Sequence, residues 1–517
     1  MVAAVAGALV LAGSPFDDLN PGGWPQVRRF FAAALSPELS GDFLALVWRE
    51  ALVTLAYAVL GTTLALVLGL VGGVLTSRRW WTGAADRRPG AGWQLSRAAA
   101  IVPRSVHEVV WGLLLLNVLG LDPLVAVLAI GIPFGAITAK IFADAIDDAD
   151  PGAYRALRLA GAGRLAGLAY SIGPTVRSEL LSYGFYRFEC AIRSAAILGI
   201  VGAGGLGFQL ALSFTSLRYG EVWTVLWALV LLNGAADAWS GWVRRRAPAV
   251  LAGDGARLRR RSGSAAFGTG AALVPAALAS WWWLGIDVST LWAARARDQL
   301  SYLAAELAPP STVDGWWALV EQALDTVALA VLAMAIAFPL AVAVALLAAG
   351  AVGPRGLAGA AVRATARAAL LLTRAVPPPV WAIVVLFVLR PGPWPGAVAL
   401  AAYNLGVLGR LLAEALEAAD DRHALALRAA GATRAQAAAY ATLPSVADRF
   451  TSLGLYRWEV AIRETVVVGV VGAGGLGRSL DEALSAFAWS EVTGIVLALV
   501  AVTFAVDATS TALRRRR

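Results

Sequence analysis

The 517-residue chain has little of what a soluble enzyme uses: one cysteine, two histidines and only 15% charged residues. Soluble domains carry about a quarter charged residues, so an ordinary globular protein is excluded. Cys190 has no second cysteine for an intrachain disulfide, and thiolate metal clusters need several. His107 and His423 lie far apart in sequence and suggest no metal site. The single lysine, Lys140, precedes Ile141, so the phosphate-binding pattern GxxxxGK[ST] is absent and any ATP is hydrolysed by another subunit. No basic stretch is interleaved with aromatics, which argues against nucleic acid as a partner. What the chain has instead is apolar length. It is 59% hydrophobic with mean hydropathy +0.69, and several runs are long enough to cross a bilayer. Such a chain is too apolar for disorder. It reads as an all-α, polytopic membrane protein in the cell (plasma) membrane.

Self-similarity sets the architecture. Residues 184–207, GFYRFECAIRSAAILGIVGAGGLG, recur as GLYRWEVAIRETVVVGVVGAGGLG at 454–477, with 15 of 24 positions identical at an offset of 270. The same offset pairs Arg104 with Arg374, Gly161 with Gly431, Pro174 with Pro444, Glu221 with Glu491 and Arg244 with Arg514. Nearer the start it becomes 272, pairing Thr54 with Thr326 and Pro37 with Pro309. The sequence thus divides into a first half, 1–246, a basic cytoplasmic linker, 247–266, and a second half, 267–517. The first half offers apolar segments at 1–14, 50–75, 97–119, 123–146, 177–201 and 220–243. The second offers 267–285, 320–349, 367–389, 395–418, 447–471 and 490–513. About twelve transmembrane helices follow, as two parallel six-helix repeats. The first segment is short and no basic residue precedes it, so a clipped helix is the better reading than a signal peptide. Alternate loops hold 27 arginines against seven on the other side, which places the basic loops and both termini in the cytoplasm.

Gly202, Gly204, Gly205 and Gly207, and again Gly472, Gly474, Gly475 and Gly477, spell GxGxxG, with Glu221 and Glu491 downstream. That pattern binds dinucleotides only in a strand–turn–helix unit. Here each copy lies between two membrane-length segments, and the reading is a tight turn ending a helix, where small residues let backbones approach. The longest loops within the halves, Asp144–Pro174 and Glu414–Pro444, each hold a short capped helix. Asp150 and Pro151 start the first, and Gly161 and Gly163 end it; Asp420 or Asp421 starts the second, and Gly431 ends it. Such a helix suits docking of a cytoplasmic partner, with a plain connecting loop as the alternative.

Nine cations remain within the spans, eight of them in four repeat-matched pairs, and ionisable groups at that depth need partners. Lys140 with Asp144, and Arg410 with Glu414, are four apart and read as local ion pairs. Glu189 with Arg193, and Glu459 with Arg463, have the same spacing and can neutralise themselves. Arg104 can meet Glu108 one turn on, whereas Arg374 is followed by Pro377-Pro378-Pro379, which must distort its helix. His107 and Glu108 have no polar counterparts in the second half, and His107 is either a satisfied buried histidine or a substrate contact. Arg187 shares a helical stripe with Ser194, and Arg457 shares the matching stripe with Glu464. Guanidinium suits an oxyanion by bidentate bonding, so Arg187 is the foremost candidate in an anion pathway and Arg457 the second.

Two elements resemble a known family. Ala156-Leu157, Gly161 and Pro174, and Ala426-Leu427, Gly431 and Pro444, resemble the EAA loop of ABC importer permeases, with Arg155 and Leu425 at its glutamate position. The following Tyr-Arg-aromatic-Glu-x-Ala-Ile-Arg and Val-Gly-Ala-Gly-Gly-Leu-Gly stretches are similar to the phosphonate/phosphate/phosphite branch of those permeases. The resemblance implies a type I ABC importer permease fold with both halves fused. It implies loops docked on two copies of a cytoplasmic ATPase subunit, which holds the ATP and magnesium, and no cofactor on this chain. It also implies an extracytoplasmic solute-binding protein delivering an anionic phosphorus compound. Glycine-betaine and methionine permeases share a similar glycine turn, and internal repeats also fit a secondary anion transporter.

Overall fold

The computed structural model describes residues 2–13, 19–82, 89–246, 263–306, 309–312 and 315–515; most of the 247–266 linker lies outside them. Helices dominate, and the only bridge among the described residues joins Leu19 to Leu389. The first half begins with α1 (Val2–Ala12), α2 (Trp24–Ala32) and α3 (Gly41–Thr76). It continues with α4 (Arg78–Thr82), α5 (Ala91–Ala99), α6 (Ile101–Ser105), α7 (Glu108–Leu119) and α8 (Pro123–Asp148). The loop helices α9 (Gly152–Leu159) and α10 (Arg164–Gly167) lead to α11 (Gly173–Leu198), α12 (Gly205–Thr215) and α13 (Tyr219–Arg246). The second half opens with α14 (Gly263–Leu284), α15 (Ala294–Glu306) and α16 (Gly315–Ala348). Then come α17 (Gly356–Ala375), α18 (Pro378–Leu386), α19 (Pro393–Glu417), α20 (Arg422–Ala429) and α21 (Arg434–Ala437). It closes with α22 (Leu443–Val468), α23 (Gly475–Ser485) and α24 (Trp489–Arg515).

Among the described residues six helices are long and apolar enough to span a bilayer, and counting each of four bent pairs as one span brings the number to ten. The first apolar segment of each half is the shorter kind: α1 has 11 residues, and the apolar part of α14 is Ala272–Leu284. The stretches 97–119 and 367–389, read as single spans, are each two helices meeting at 86° and 88°. In the second half the prolines make the break. In the first it falls at His107, whose backbone (φ −66°, ψ 149°) matches that of Pro377 (φ −59°, ψ 144°). The His107 ring takes over the local bonding, its Nδ1 accepting the Val109 N–H at 3.2 Å as the cap of α7.

Two compact units form, Glu38–Tyr302 and Met1–Pro37 with Leu303–Arg517. The sequence halves are the units of the repeat, but the units of packing exchange their first helices. In one unit α14 packs on α3. In the other α1 packs on α16, with Ala8 in a cluster with Leu329, Leu332 and Leu400. There Trp394 Nε1 donates to Gly13 O at 3.0 Å and the Asn20 N–H to Val388 O at 2.6 Å. A side chain at Gly23 would sit 1.6 Å from Phe387 O, so only glycine allows that approach.

Within each unit the longest spans pack through small residues. A Cβ at Gly61, Gly69 or Gly73 of α3 would fall within 2.7 Å of Ile130, Thr138 or Phe142 on α8. On α16 the equivalent stripe is alanine at every fourth position, Ala333, Ala337, Ala341 and Ala345, each fully buried. With lipid as apolar as leucine, close backbone packing rather than hydrophobic exclusion holds such pairs together.

Candidate solute pathway and coupling surfaces

Arg187 and Arg457 occupy matching positions on α11 and α22, both about 95% buried, yet their guanidinium groups point opposite ways along their helices. Arg187 turns back one turn: its Nε donates to Tyr183 Oη at 2.7 Å, and its Nη2 also bonds that oxygen. Its guanidinium carbon lies 4.9 Å from the ring centres of Phe134 and Tyr183 and 5.7 Å from that of Tyr186. Arg457 turns forward two turns, and Nη2 meets Glu464 Oε1 at 3.0 Å and Oε2 at 3.1 Å. Asn404 on α19 completes that group, its Oδ1 accepting from Arg457 Nε at 2.9 Å and Nη2 at 2.5 Å. Its Nδ2 donates to Glu464 Oε2 at 3.3 Å and Leu400 O at 2.9 Å.

The repeat explains the difference. Asn404 corresponds to Phe134, and Glu464 to Ser194. Where the second unit offers an amide and a carboxylate, the first offers an aromatic face and a hydroxyl. Cation–π attraction favours the guanidinium over the rings. The first unit still holds a buried carboxylate, Glu108, but on α7: Ser194 Oγ donates to Glu108 Oε1 at 2.6 Å, and His107 Nε2 lies 3.4 Å from Oε2. The break at His107 places Arg104 and Glu108 on two different helices, α6 and α7. Arg104 and Arg374 sit in the last turns of α6 and α17, where the helix dipole favours a cation. Glu189 is buried, Arg193 Nη2 lies 3.4 Å from Cys190 Sγ, and Glu459 and Arg463 are half-buried. Arg410 and Glu414 form the expected local pair at 2.9 Å, and Asp144 meets Arg97 at 3.4 Å as well as feeling the charge of Lys140.

Both glycine stretches are turns, not nucleotide sites. Gly202, Gly204 and Gly205 have φ of 109°, 92° and 76°, and Gly472, Gly474 and Gly475 repeat this at 95°, 83° and 67°. Gly207 and Gly477 serve close approach: a Cβ on Gly207 would lie 1.8 Å from Ala196 O, and one on Gly477 2.7 to 3.0 Å from Val466 and Gly469 backbone. Thr54 and Thr326 latch the turns. Thr54 Oγ1 accepts the Leu206 N–H at 2.9 Å and donates to Glu50 O at 2.9 Å. Thr326 Oγ1 does the same for Leu476 at 3.0 Å and Gln322 O at 2.8 Å. Glu221, at the spacing of a ribose ligand, binds Ser213 Oγ at 2.8 Å and Arg218 Nη1 at 3.0 Å.

The loop helices form, and the aspartates one residue before the N-caps Pro151 and Asp421 hold their first residues. Asp150 Oδ1 accepts the Gly152 N–H, and Asp420 Oδ1 accepts the Arg422 N–H, each at 3.0 Å. Gly161 (φ 90°) and Gly431 (φ 94°) end them. Ala156 is exposed and Leu157 half-buried; Ala426 and Leu427 are exposed. Leu159, Leu165 and Tyr170 around the first loop, and Leu425 and Tyr440 around the second, are more than half exposed. Pro174 and Pro444 are accommodated by π-helical turns at Leu168–Ile172 and Ala438–Thr442, which absorb the missing N–H and the ring. Among the described residues no group of three His, Cys, Asp or Glu could hold a metal ion.

Asn404, Thr54, Thr326, Phe134 and Tyr183 were not singled out for these roles by sequence reasoning. For Asn404 the signal was an amide inside an apolar span. For the threonines it was the repeat pairing itself.

This fold of two helical repeats with paired loops and glycine turns is that of an importer permease. The sequence matches the family of binding-protein-dependent transport system inner membrane components over residues 82–247 and again over 341–516. The chain belongs to that family, with one copy in each half, and is a multi-pass permease subunit of an ABC importer. It is 29% identical over 465 residues to the phosphate-import permease protein PhnE of Mycolicibacterium smegmatis, covering 90% of this chain and 84% of that one. It is 34% identical to the phosphite transport system permease protein PtxC of Stutzerimonas stutzeri over 266 residues, covering 52% of this chain and 93% of the relative. An inward-facing structure of the MetNI methionine ABC transporter aligns with a TM-score of 0.36 at 19% identity, over 40% of this chain and 99% of that one.

Proposed function

We propose that this chain supplies both permease halves of an importer that moves phosphate, phosphonate or phosphite into the cytoplasm. The observation that carries the reading is a phosphate-import relative matching 90% of the chain, across both halves. Two copies of a cytoplasmic ATPase subunit bind the loops around α9 and α20 and hold the ATP and magnesium; this chain carries no cofactor. A solute-binding protein docks on the opposite side, and the lipid bilayer surrounds the spans. Both termini and the basic loops lie in the cytoplasm, which the arginine distribution supports.

Arg187 supplies the main attraction for the anion and Arg457 a secondary one. What supports a role for Arg187 is that its buried guanidinium lies against the rings of Phe134 and Tyr183, while Arg457 is held by Glu464 at 3.0 Å and Asn404 at 2.9 Å. The test is uptake of labelled phosphate and methylphosphonate in a strain deleted for its own phosphorus importers. Uptake that requires this chain together with a co-expressed ATPase and binding protein is the expected result. Uptake of neither compound, or uptake without the ATPase, overturns the reading.

A further inference from the structure

The two loop helices are joined to the spans by different residues that make the same link. In the first unit the corner after α3 grips the end of α8, where the loop begins. Asp147 receives the Arg78 N–H at 2.9 Å and the Arg79 N–H at 3.2 Å on its two carboxylate oxygens. Arg79 Nη2 donates to Asp147 O at 2.8 Å and also to Ala149 O. From α9 itself Tyr154 donates its hydroxyl back to Arg79 O at 3.3 Å. Tyr154 is buried in a small core with Ile146, Leu168 and Ile172, against which Val74 and Trp80 pack. The ends of α3 and α8, the loop helix and the π-helical turn leading into α11 therefore share one packed cluster.

In the second unit the link runs in the other direction. Arg434, just past α20, donates through Nη1 to Gly353 O at 3.2 Å and Pro354 O at 3.3 Å, and through Nη2 to Gly350 O. Those carbonyls form the corner after α16, the counterpart of the Arg78–Arg79 corner. Helix α20 buries no residue of its own, and Ala424, too short to reach a core, stands where the first unit has Tyr154.

We propose that Arg79 and Arg434 are positioning residues that carry displacement of the loop helices to the long spans α3 and α16. A guanidinium satisfying two or three backbone carbonyls is held by several charge-assisted hydrogen bonds at fixed angles, so the loop and the corner move together. Because α20 lacks a buried anchor, Arg434 bears more of this load than Arg79 does. The inference rests on the docking of the ATPase at these loops proposed above.

The test compares R79A, R434A, R79K and Y154F with the unaltered chain, reconstituted with its ATPase and binding protein, and reads phosphate taken up per ATP hydrolysed. In the alanine variants the ATPase still co-purifies and hydrolyses ATP, while uptake per ATP falls about tenfold or more, the factor one charged hydrogen bond corresponds to. The loss is larger for R434A. R79K and Y154F, which each keep part of the link, fall in between and serve if R79A does not assemble. Uptake per ATP unchanged in R434A, or unchanged in both R79K and Y154F, overturns the proposal. A second readout needs neither solute nor ATPase: amide exchange over residues 350–356 in the chain alone should quicken in R434A. If the unaltered chain transports no phosphate, the functional reading fails; unaltered exchange in R434A then removes the clamp as well, and faster exchange retains the link.

Discussion

Neutralising Arg457 tests the buried cluster of the second unit. The Arg457 and Glu464 side chains are 5% and 9% exposed, and the guanidinium meets the carboxylate at 3.0 Å. At an effective dielectric near 20 their attraction is about 5 kcal/mol. In R457Q the carboxylate keeps only the Asn404 Nδ2 donor at 3.3 Å among its protein contacts, and removing one partner of a buried pair costs about 3–5 kcal/mol. E464Q likewise removes the carboxylate from the guanidinium, which keeps Asn404 Oδ1 as an acceptor. The double variant R457Q/E464Q leaves no uncompensated charge, so its loss should fall well below the sum of the single losses, by about 3 kcal/mol or more. The assay is a four-way cycle of unfolding in mixed micelles titrated with a denaturing detergent. Losses that simply add would reduce the contact to an incidental one.

Four further outcomes follow from the same geometry. R187Q should reduce phosphate uptake more than R457Q does when both are corrected for the amount of folded protein, and R187K should recover only part, because an ammonium cannot form the guanidinium fork; normal uptake in R187Q contradicts the pathway role. T54V and T326V each strand a buried N–H at a glycine turn and should cost about 1–3 kcal/mol in the same unfolding assay, against no change if the latch is incidental. Gly161→Val or Gly431→Val places a β-branched residue at φ near 90°, where space is open but the backbone is strained; ATP hydrolysis should then separate from uptake, and unchanged coupling removes the loops from that role. Reporters after Arg246 and at Arg517 should read cytoplasmic and one within 297–312 extracytoplasmic, and the reverse pattern overturns the orientation.

The repeat was legible because identical residues recur at an offset of 270, or 272 nearer the start, and the glycine turns because so many adjacent glycines fit neither a span nor a soluble sheet. The starts of α9 and α20 were legible because Asp just before a short helix is a local signal. The break at His107 was not. Its twin at Pro377 announces itself through a proline run, but a histidine forces the same backbone only once its ring bonds Val109. The Arg457–Glu464 spacing pointed to their shared stripe, yet the third member, Asn404, comes from another helix that sequence cannot bring near. The same limit hid Glu108 from Ser194, 86 residues away. Exchange of the first helices was hidden most completely, since α1 is apolar along its whole length and nothing in that pattern names the surface that receives it.

Provision of both permease halves for a phosphorus oxyanion by one chain is a measurable property. Its most direct measurement is uptake of labelled phosphate into liposomes holding this chain and its ATPase, with the binding protein outside and ATP within, challenged by unlabelled phosphite and methylphosphonate. Accumulation should stop without ATP or binding protein and be competed by at least one of the two compounds. Accumulation driven by an ion gradient in the absence of ATP would contradict it.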